Sequence, residues 1–429
     1  MNRLPYLLSI IFSVLIIACN SSKKNSTPSA ENAIEQLKKW IDAPGEEEQK
    51  ALFYQSFSWK GLSKVEEQEA VDILYGYFEK KRRARLEKSW QEKRFVLGEH
   101  EMKIKLKTFG EKPTDGRSLY ISMHGGGSTT PAANNQQWEN QIRLYQPKEG
   151  IYIAPRAPTN TWNLWHQNHI DDLFDELIMA AVLFADVNPN KVYLTGYSAG
   201  GDGTYQLAPR MADRFAAAAM MAGHPNETQP QGLRNLPFAL WMGANDAAYN
   251  RNKVAAQWGA LLDSLQQLDP NGYQHQVQLV KDKGHWMERA DTIGFQWMAQ
   301  FQRNPYPDKI VWRQDDRQHS TFYCLYTPED LLPTGQEIIV QFEGNTINVL
   351  QNPTDQLCIR LNDAMMNLDK PVIVQYQDKE LFRQKIHRNI QHIWHNYTKR
   401  QDKAYAFCSG VILVKNEFVK EVVQLFPAY

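Results

Sequence analysis

The stretch "KVYLTGYSAGGDGTYQLA", residues 191–208, decides how the rest of the chain is read. It opens as a β-branched and aromatic run and then sets four glycines around one serine, Ser198. Glycine loses more backbone freedom on folding than any other residue, so a cluster of it marks a turn where side chains do not fit. "KVYLTG" reads as a strand, and "GDGTYQLAPRMADRF" begins small and continues as a helix. A serine at such a sharp strand-to-helix turn is lifted off the sheet edge, with a helix N-terminus beneath it. Taken alone, G-x-S-x-G fits an ordinary turn as well as a nucleophile, and the surrounding chain has to separate the two.

Working outward, residues 95–304 alternate short strands with helical stretches, the pattern of a mostly parallel sheet with crossover helices. The strand candidates are "SLYISMH", "GIYIAP", "KVYLTG", "FAAAAMMAG", "PFALWMG" and "QVQLVKD". Between them lie "DDLFDELIMAAVLFAD" and "KVAAQWGALLDSLQQL" as helices. The prolines of "NPYPDKIVW" (304–312) mark a boundary. Beyond it, residues 305–429 are dominated by alternating runs such as "EIIVQFEGNTINVLQN" and "PVIVQYQ". One helical stretch, "HRNIQHIWHNYTKR", interrupts what reads as a mostly-β accessory domain, a small sandwich. Ahead of the α/β region, residues 31–94 carry charge and helical periodicity. The basic run Lys80 to Arg85 reads there as the solvated face of a helix whose Ile73, Leu74, Tyr77 and Phe78 pack inward.

At 429 residues, with 42% hydrophobic and 11% aromatic content, the chain has the makings of a large core. Lysine plus arginine and aspartate plus glutamate are equal at 48 each, which gives no electrostatic case for a nucleic-acid partner. The first residues, "MNRLPYLLSIIFSVLIIACNSSKK", join Arg3 to an apolar run too short for a stable spanning helix, so they read as an export signal over 1–19. "IIAC" resembles the lipobox of bacterial lipoproteins, which implies acylation of Cys19, a polar tether over 20–30, and a cell-envelope location at the outer membrane. Cys324, Cys358 and Cys408 have no paired C-x-x-C spacing and read as buried small hydrophobes.

"GYSAGGDGTYQLAPRMADRFAAAAMMAG" resembles the α/β-hydrolase superfamily. The likeness is to the secreted esterase branch that includes polyhydroxybutyrate depolymerases, feruloyl esterases and acetylxylan esterases, and it covers about 100–304. The resemblance implies a serine hydrolase acting on carboxylic esters derived from saccharides or polymers. A serine peptidase on the same fold, or a silent binding lipoprotein, is the alternative. "SLYISMHGGGS" supplies a glycine loop whose backbone N–H groups can approach a developing oxyanion, so the family pattern assigns Gly125 or Gly126 together with Ala199. His124 shapes that loop in this reading. The acid and the base follow the serine in that order: "PFALWMGANDAAYN" delivers Asp246, and "LVKDKGHWMERAD" delivers His285. His275 starts a strand, at the wrong end of the sheet. Trp162, Trp165, His166 and Trp286 are the candidate cleft surface, suited to stacking on rings. No cofactor is called for. His166, His169, Asp171 and Asp172 have metal-like spacings, but the two acids are expected to serve a helix N-terminus instead, and Asp202 is expected to have a structural role in its own helix's first turn.

Overall fold

The structure is a computed structural model that describes residues 32–43, 51–315, 317–328, 332–400 and 402–421. The expected signal segment, Cys19 and the tether lie outside the described residues. An eight-stranded sheet forms the centre, in the order β1-β2-β4-β3-β5-β6-β7-β8. Its strands are β1 (Arg94–Leu97), β2 (His100–Phe109), β3 (Arg117–Met123), β4 (Gly150–Pro155), β5 (Val187–Tyr197), β6 (Ala217–Met221), β7 (Phe238–Gly243) and β8 (His275–Val280). β1 pairs antiparallel with β2, and β2 antiparallel with β4, while every other neighbour is parallel. This is a mixed, mostly parallel sheet with crossover connections, as the sequence pattern leads one to expect.

The period-two alternation of side chains explains how the sheet is held from both faces. Leu119, Ile121, Ile151, Ile153, Val192, Leu194, Phe238 and Leu240 point into one core. Their neighbours Tyr120, Tyr152, Tyr193, Ala217, Ala219, Ala239 and Trp241 point into the other. Strands buried on both faces read as continuous apolar runs, which is why β3 to β7 stand out in the sequence. β1 and β2 do not stand out. Lys103, Lys105 and Lys107 interrupt the apolar character of β2, and β1 is an edge strand with a single buried residue.

The flanking regions fasten onto this sheet unit. The helix Lys64–Glu92 starts at a capping box between Ser63 and Glu66 and packs against the helices His169–Ala185 and Ile390–Lys399. Leu74 and Phe78 are buried as expected. The basic run is more than a solvated face, however. Arg83 donates to Leu183 O at 2.6 Å, Arg82 donates to Tyr397 O at 3.3 Å, and Arg85 pairs with Glu176 at 2.6 Å. Three cations of one surface stripe thus tie the N-terminal helix to two other parts of the chain.

After the eight-stranded sheet come β9 (Lys309–Arg313), β10 (Thr321–Phe322), β11 (Leu325–Tyr326), β12 (Glu337–Glu343), β13 (Thr346–Gln351), β14 (Gln356–Leu361), β15 (Val372–Tyr376), β16 (Lys379–Gln384), β17 (Ser409–Val414) and β18 (Phe418–Glu421). They form two five-stranded sheets, β10-β11-β14-β17-β18 and β16-β15-β13-β12-β9, whose apolar faces, including Leu325, Ile359, Val340 and Val374, join one common core. Cys324, Cys358 and Cys408 are buried and free. Where this region meets the eight-stranded sheet, a charged cluster is largely buried, with Arg400 partly exposed. Asp213 accepts from Arg214 at 2.6 Å and from Arg400 at 2.7 Å, while Arg303 donates to Asp402 at 2.6 Å and to Asp213 O at 2.9 Å. Such a cluster is tolerable only because each charge has its partner, since removing one would leave a buried charge uncompensated.

Candidate active site

The strand order reverses at the middle of the sheet, where β3 and β5 lie side by side although the chain visits β4 between them. Loops leaving the carboxyl ends of such a pair diverge and leave a crevice, the usual ligand position in open α/β sheets. Ser198 follows β5 directly and has φ 58° and ψ −120°, a conformation that costs a side-chain-bearing residue about 1–3 kcal/mol. The turn is held on both sides, because Ser198 N donates to Met221 O and Asp202 N donates to Ser198 O, each at 2.9 Å. Two glycines make the turn possible. A Cβ on Gly196 would lie 2.1 Å from Gly200 O, and one on Gly200 would lie 2.1 Å from Met123 O. The elbow is therefore packed backbone against backbone, with β3 as its wall.

From the end of β3, residues 124–127 fold back over Ser198. His124 is fully buried and burial pushes its imidazole down to about 4, so it is neutral. Its Nε2 accepts from Ala157 N at 3.2 Å, which leaves Nδ1–H to donate to Gly125 O at 2.6 Å. His124 thus fixes the orientation of the glycine loop and does not reach the serine. Gly127 N donates to Asn134 Oδ1 at 2.9 Å and is already engaged. Among the described residues, the N–H groups of Gly125, Gly126 and Ala199 have no such acceptor.

β7 and β8 deliver the other two groups. A Cβ on Gly243 would lie 2.0 Å from Gly284 O, so the exits of these strands touch through backbone. Ala244 N donates to Val280 O and Asn245 N to Lys283 O, at 2.9 and 2.8 Å, which zips the two loops together. Asp246, 3% exposed, then meets His285: its Oδ2 lies 2.7 Å from Nδ1. His285 Nε2 lies 2.9 Å from Ser198 Oγ. Arg251 stands 3.8 Å from the far oxygen of Asp246. His275, at the opposite end of β8, is bound to Tyr273 O and Asp263.

One contact escapes a reading of the sequence. Tyr197 Oη donates to His285 O at 2.6 Å and accepts from Met287 N at 3.1 Å, so the residue before the serine carries the histidine loop. The G-x-S-x-G pattern includes Tyr197, but the partner lies 88 residues away and leaves no local signal. Asp202, by contrast, stays structural: it accepts from His224 N at 2.6 Å, and burial raises its carboxyl to about 6.

A cavity of about 490 Å³ opens beside Ser198 and His285. Trp286 lines it and is 51% exposed. The other three expected cleft residues do not line it. Trp165 is 0% exposed, donates from Nε1 to His124 O, and fills the space over Gly203, where a Cβ would lie 2.4 Å from Trp165 Cβ. His166 is buried, and desolvation pushes it down to about 4. Trp162 is 59% exposed and meets His166 edge-on, away from the cavity wall. Asp171 departs from expectation too. It is buried and bound by Arg210 at 2.6 Å and His319 at 2.8 Å, a packing role across regions more than a helix-terminus role. Among the described residues no cluster of three or more histidine, cysteine or acidic side chains is arranged to hold a metal ion.

No family model matches the chain. A bifunctional acetylxylan esterase/xylanase, XynS20E of Neocallimastix patriciarum, is 27% identical over 146 residues, which is 32% of this chain and 20% of that protein. The match therefore spans a fifth of the relative's length. Among solved structures, a thermostable esterase is 18% identical with a TM-score of 0.37, covering 49% of this chain and 62% of its own. A ferulic acid esterase is 16% identical with a TM-score of 0.32, covering 46% and 98%.

Proposed function

We propose that the chain is a serine hydrolase that cleaves carboxylic esters of saccharide or polymer origin through an acyl-enzyme. The observation that carries this reading is the continuous hydrogen-bonded line from Asp246 through His285 to Ser198, at 2.7 and 2.9 Å. A serine hydroxyl is a weak nucleophile until a base takes its proton, and the base needs an acid to hold its tautomer. In the proposed cycle Ser198 Oγ attacks the acyl carbon while His285 Nε2 accepts the hydroxyl proton. Asp246, kept from water, stabilises the imidazolium through Nδ1–H. The oxyanion forms against the N–H of Ala199 and that of Gly125 or Gly126, and each donor in such a hole is worth on the order of 10²–10³ in rate. His285 then passes the proton to the departing alcohol. Water repeats the sequence on the acyl-enzyme, releases the acid and restores Ser198.

The test is labelling by a fluorophosphonate probe alongside turnover of p-nitrophenyl acetate and of matched peptide amides. Ser198→Ala is expected to abolish both labelling and ester cleavage with little change in Tm. Undiminished turnover in that variant, or faster cleavage of amides than of esters by the wild type, would overturn the proposal. We also propose that the chain is exported and anchored in the cell envelope through acylated Cys19. Mass spectrometry of the mature N-terminus checks this, and an unmodified terminus at another residue contradicts it.

A further inference from the structure

We infer that the substrate is an ester of an acidic saccharide, one whose carboxylate is met by Arg143 and Arg289 across the cavity beside Ser198. This rests on the esterase reading above and adds the chemistry of the group carried by the ester. The cavity has two walls. One is the face of the helix Pro131–Leu144 that presents Gln137, Asn140 and Leu144, spaced by three and four residues and so aligned on one side, with Arg143 beside them. The other is the loop after β8, which presents Trp286 and Arg289. Each wall therefore brings one guanidinium, and no aspartate or glutamate lines the space between them.

Neither cation is held by a short ion pair. Arg143, its side chain 70% exposed, meets Glu139 at 3.7 Å one helical turn back, and Glu139 also holds Lys105. Arg289 has no ion pair among the described residues, for Glu288 is tied to Lys283 at 2.6 Å and Asp291 turns inward to the Tyr145 hydroxyl. Asp246, the acid of the site, has Arg251 as its own cation. Two guanidiniums on the lining of one cavity that no carboxylate lines favour an anion there, and the planar fork of arginine suits a carboxylate. The remaining lining narrows the class. An exposed indole offers a flat apolar face to a sugar ring, and the exposed amides of Gln137 and Asn140 can both donate to and accept from hydroxyls. That combination fits a uronic acid unit better than a neutral sugar or a long alkyl chain.

The experiment compares acetate release from acetylated galacturonate trimers and from acetylated galactose trimers, in the wild type and in Arg143→Gln/Arg289→Gln. Two partly exposed charge pairs should favour the acidic substrate in kcat/KM by about five- to thirtyfold at low salt. The preference should shrink in 0.5 M NaCl, because exposed pairs are screened, and the double variant should bring the ratio of the two kcat/KM values close to one. A wild-type ratio of one or less, or a ratio that survives the double substitution, overturns the inference. The hemisuccinate ester of p-nitrophenol is the third substrate. Preference for it, without preference for the galacturonate, would place the anion on the acyl side and refute the saccharide assignment. Absence of fluorophosphonate labelling at Ser198 with no acetate released from either trimer would instead sink the esterase reading beneath it.

Discussion

Replacing Tyr197 by phenylalanine deletes one oxygen atom from the floor of the site and separates alignment of the histidine from the chemistry itself. That oxygen makes two hydrogen bonds, one to His285 O and one from Met287 N, and Met287 is fully buried. The ring of phenylalanine keeps the packing, so the change is confined to those bonds. A buried group left without its partner costs about 1–3 kcal/mol, and the main-chain N–H of Met287 becomes one. We expect a loss of about 2 kcal/mol, which lowers Tm by roughly 4–8 °C in a unit of this kind. Part of that energy held His285 over Ser198. If half or more of it is lost from the aligned state, kcat falls about five- to thirtyfold, since 1.4 kcal/mol corresponds to about a factor of ten. KM should hardly move, because the ring of Tyr197 remains at the cavity. The assays are steady-state turnover of p-nitrophenyl acetate, the rate of fluorophosphonate labelling, and thermal unfolding. Wild-type kcat with the expected drop in Tm would refute the positioning argument, and a loss as large as that of Ser198→Ala would show that Tyr197 does something more direct.

Asp246→Asn should keep the site's shape while losing on the order of 10⁴ in kcat, because an amide favours the wrong histidine tautomer; a drop of less than tenfold in single-turnover kinetics would contradict the acid's assignment. Gly200→Ala should fail to give soluble folded protein, since its Cβ would sit 2.1 Å from the Met123 carbonyl oxygen, and a variant with wild-type Tm would show that the elbow can relax. The third concerns pH. The Asp202 carboxyl, raised by burial to about 6 from 3.8, keeps a proton in the folded state that the unfolded chain has released, so its contribution to stability falls as pH rises between those values. Asp202→Asn retains an acceptor for His224 N–H and should raise Tm relative to wild type more at pH 7 than at pH 4. An equal difference at both pH values would reject this account.

How much of the site could be read from the chain alone depends on how local each cause is. The elbow is legible because its requirements, small residues around Ser198 between a strand and a helix, are met within a few positions. Asp246 and His285 are legible through chain order and through their places after β7 and β8. Trp165 and His166 are not. They sit beside a candidate cleft in sequence, but the bare backbone of Gly203 opens a space that Trp165 fills, and no local pattern records this. The cavity is lined instead by Gln137, Asn140, Arg143 and Arg289, polar surface residues that look like any solvated helix or loop until the tertiary fold turns them toward Ser198. The same holds for Arg82, Arg83 and Arg85, whose pattern is that of a wet helix face and whose partners lie far along the chain.

The largely buried charge cluster beneath the eight-stranded sheet has a bearing on how the chain matures. Arg303 closes the α/β region, yet its carboxylate partner, Asp402, is synthesised 99 residues later. Asp213 has Arg214 beside it from the start, and its second cation, Arg400, follows it by 187 residues. An emerging chain can therefore assemble the sheet and the Ser198 elbow well before Arg303 meets its carboxylate. The β-rich region thereby supplies the carboxylate that the earlier-made part lacks, and a version shortened to the α/β part would leave the buried Arg303 without it.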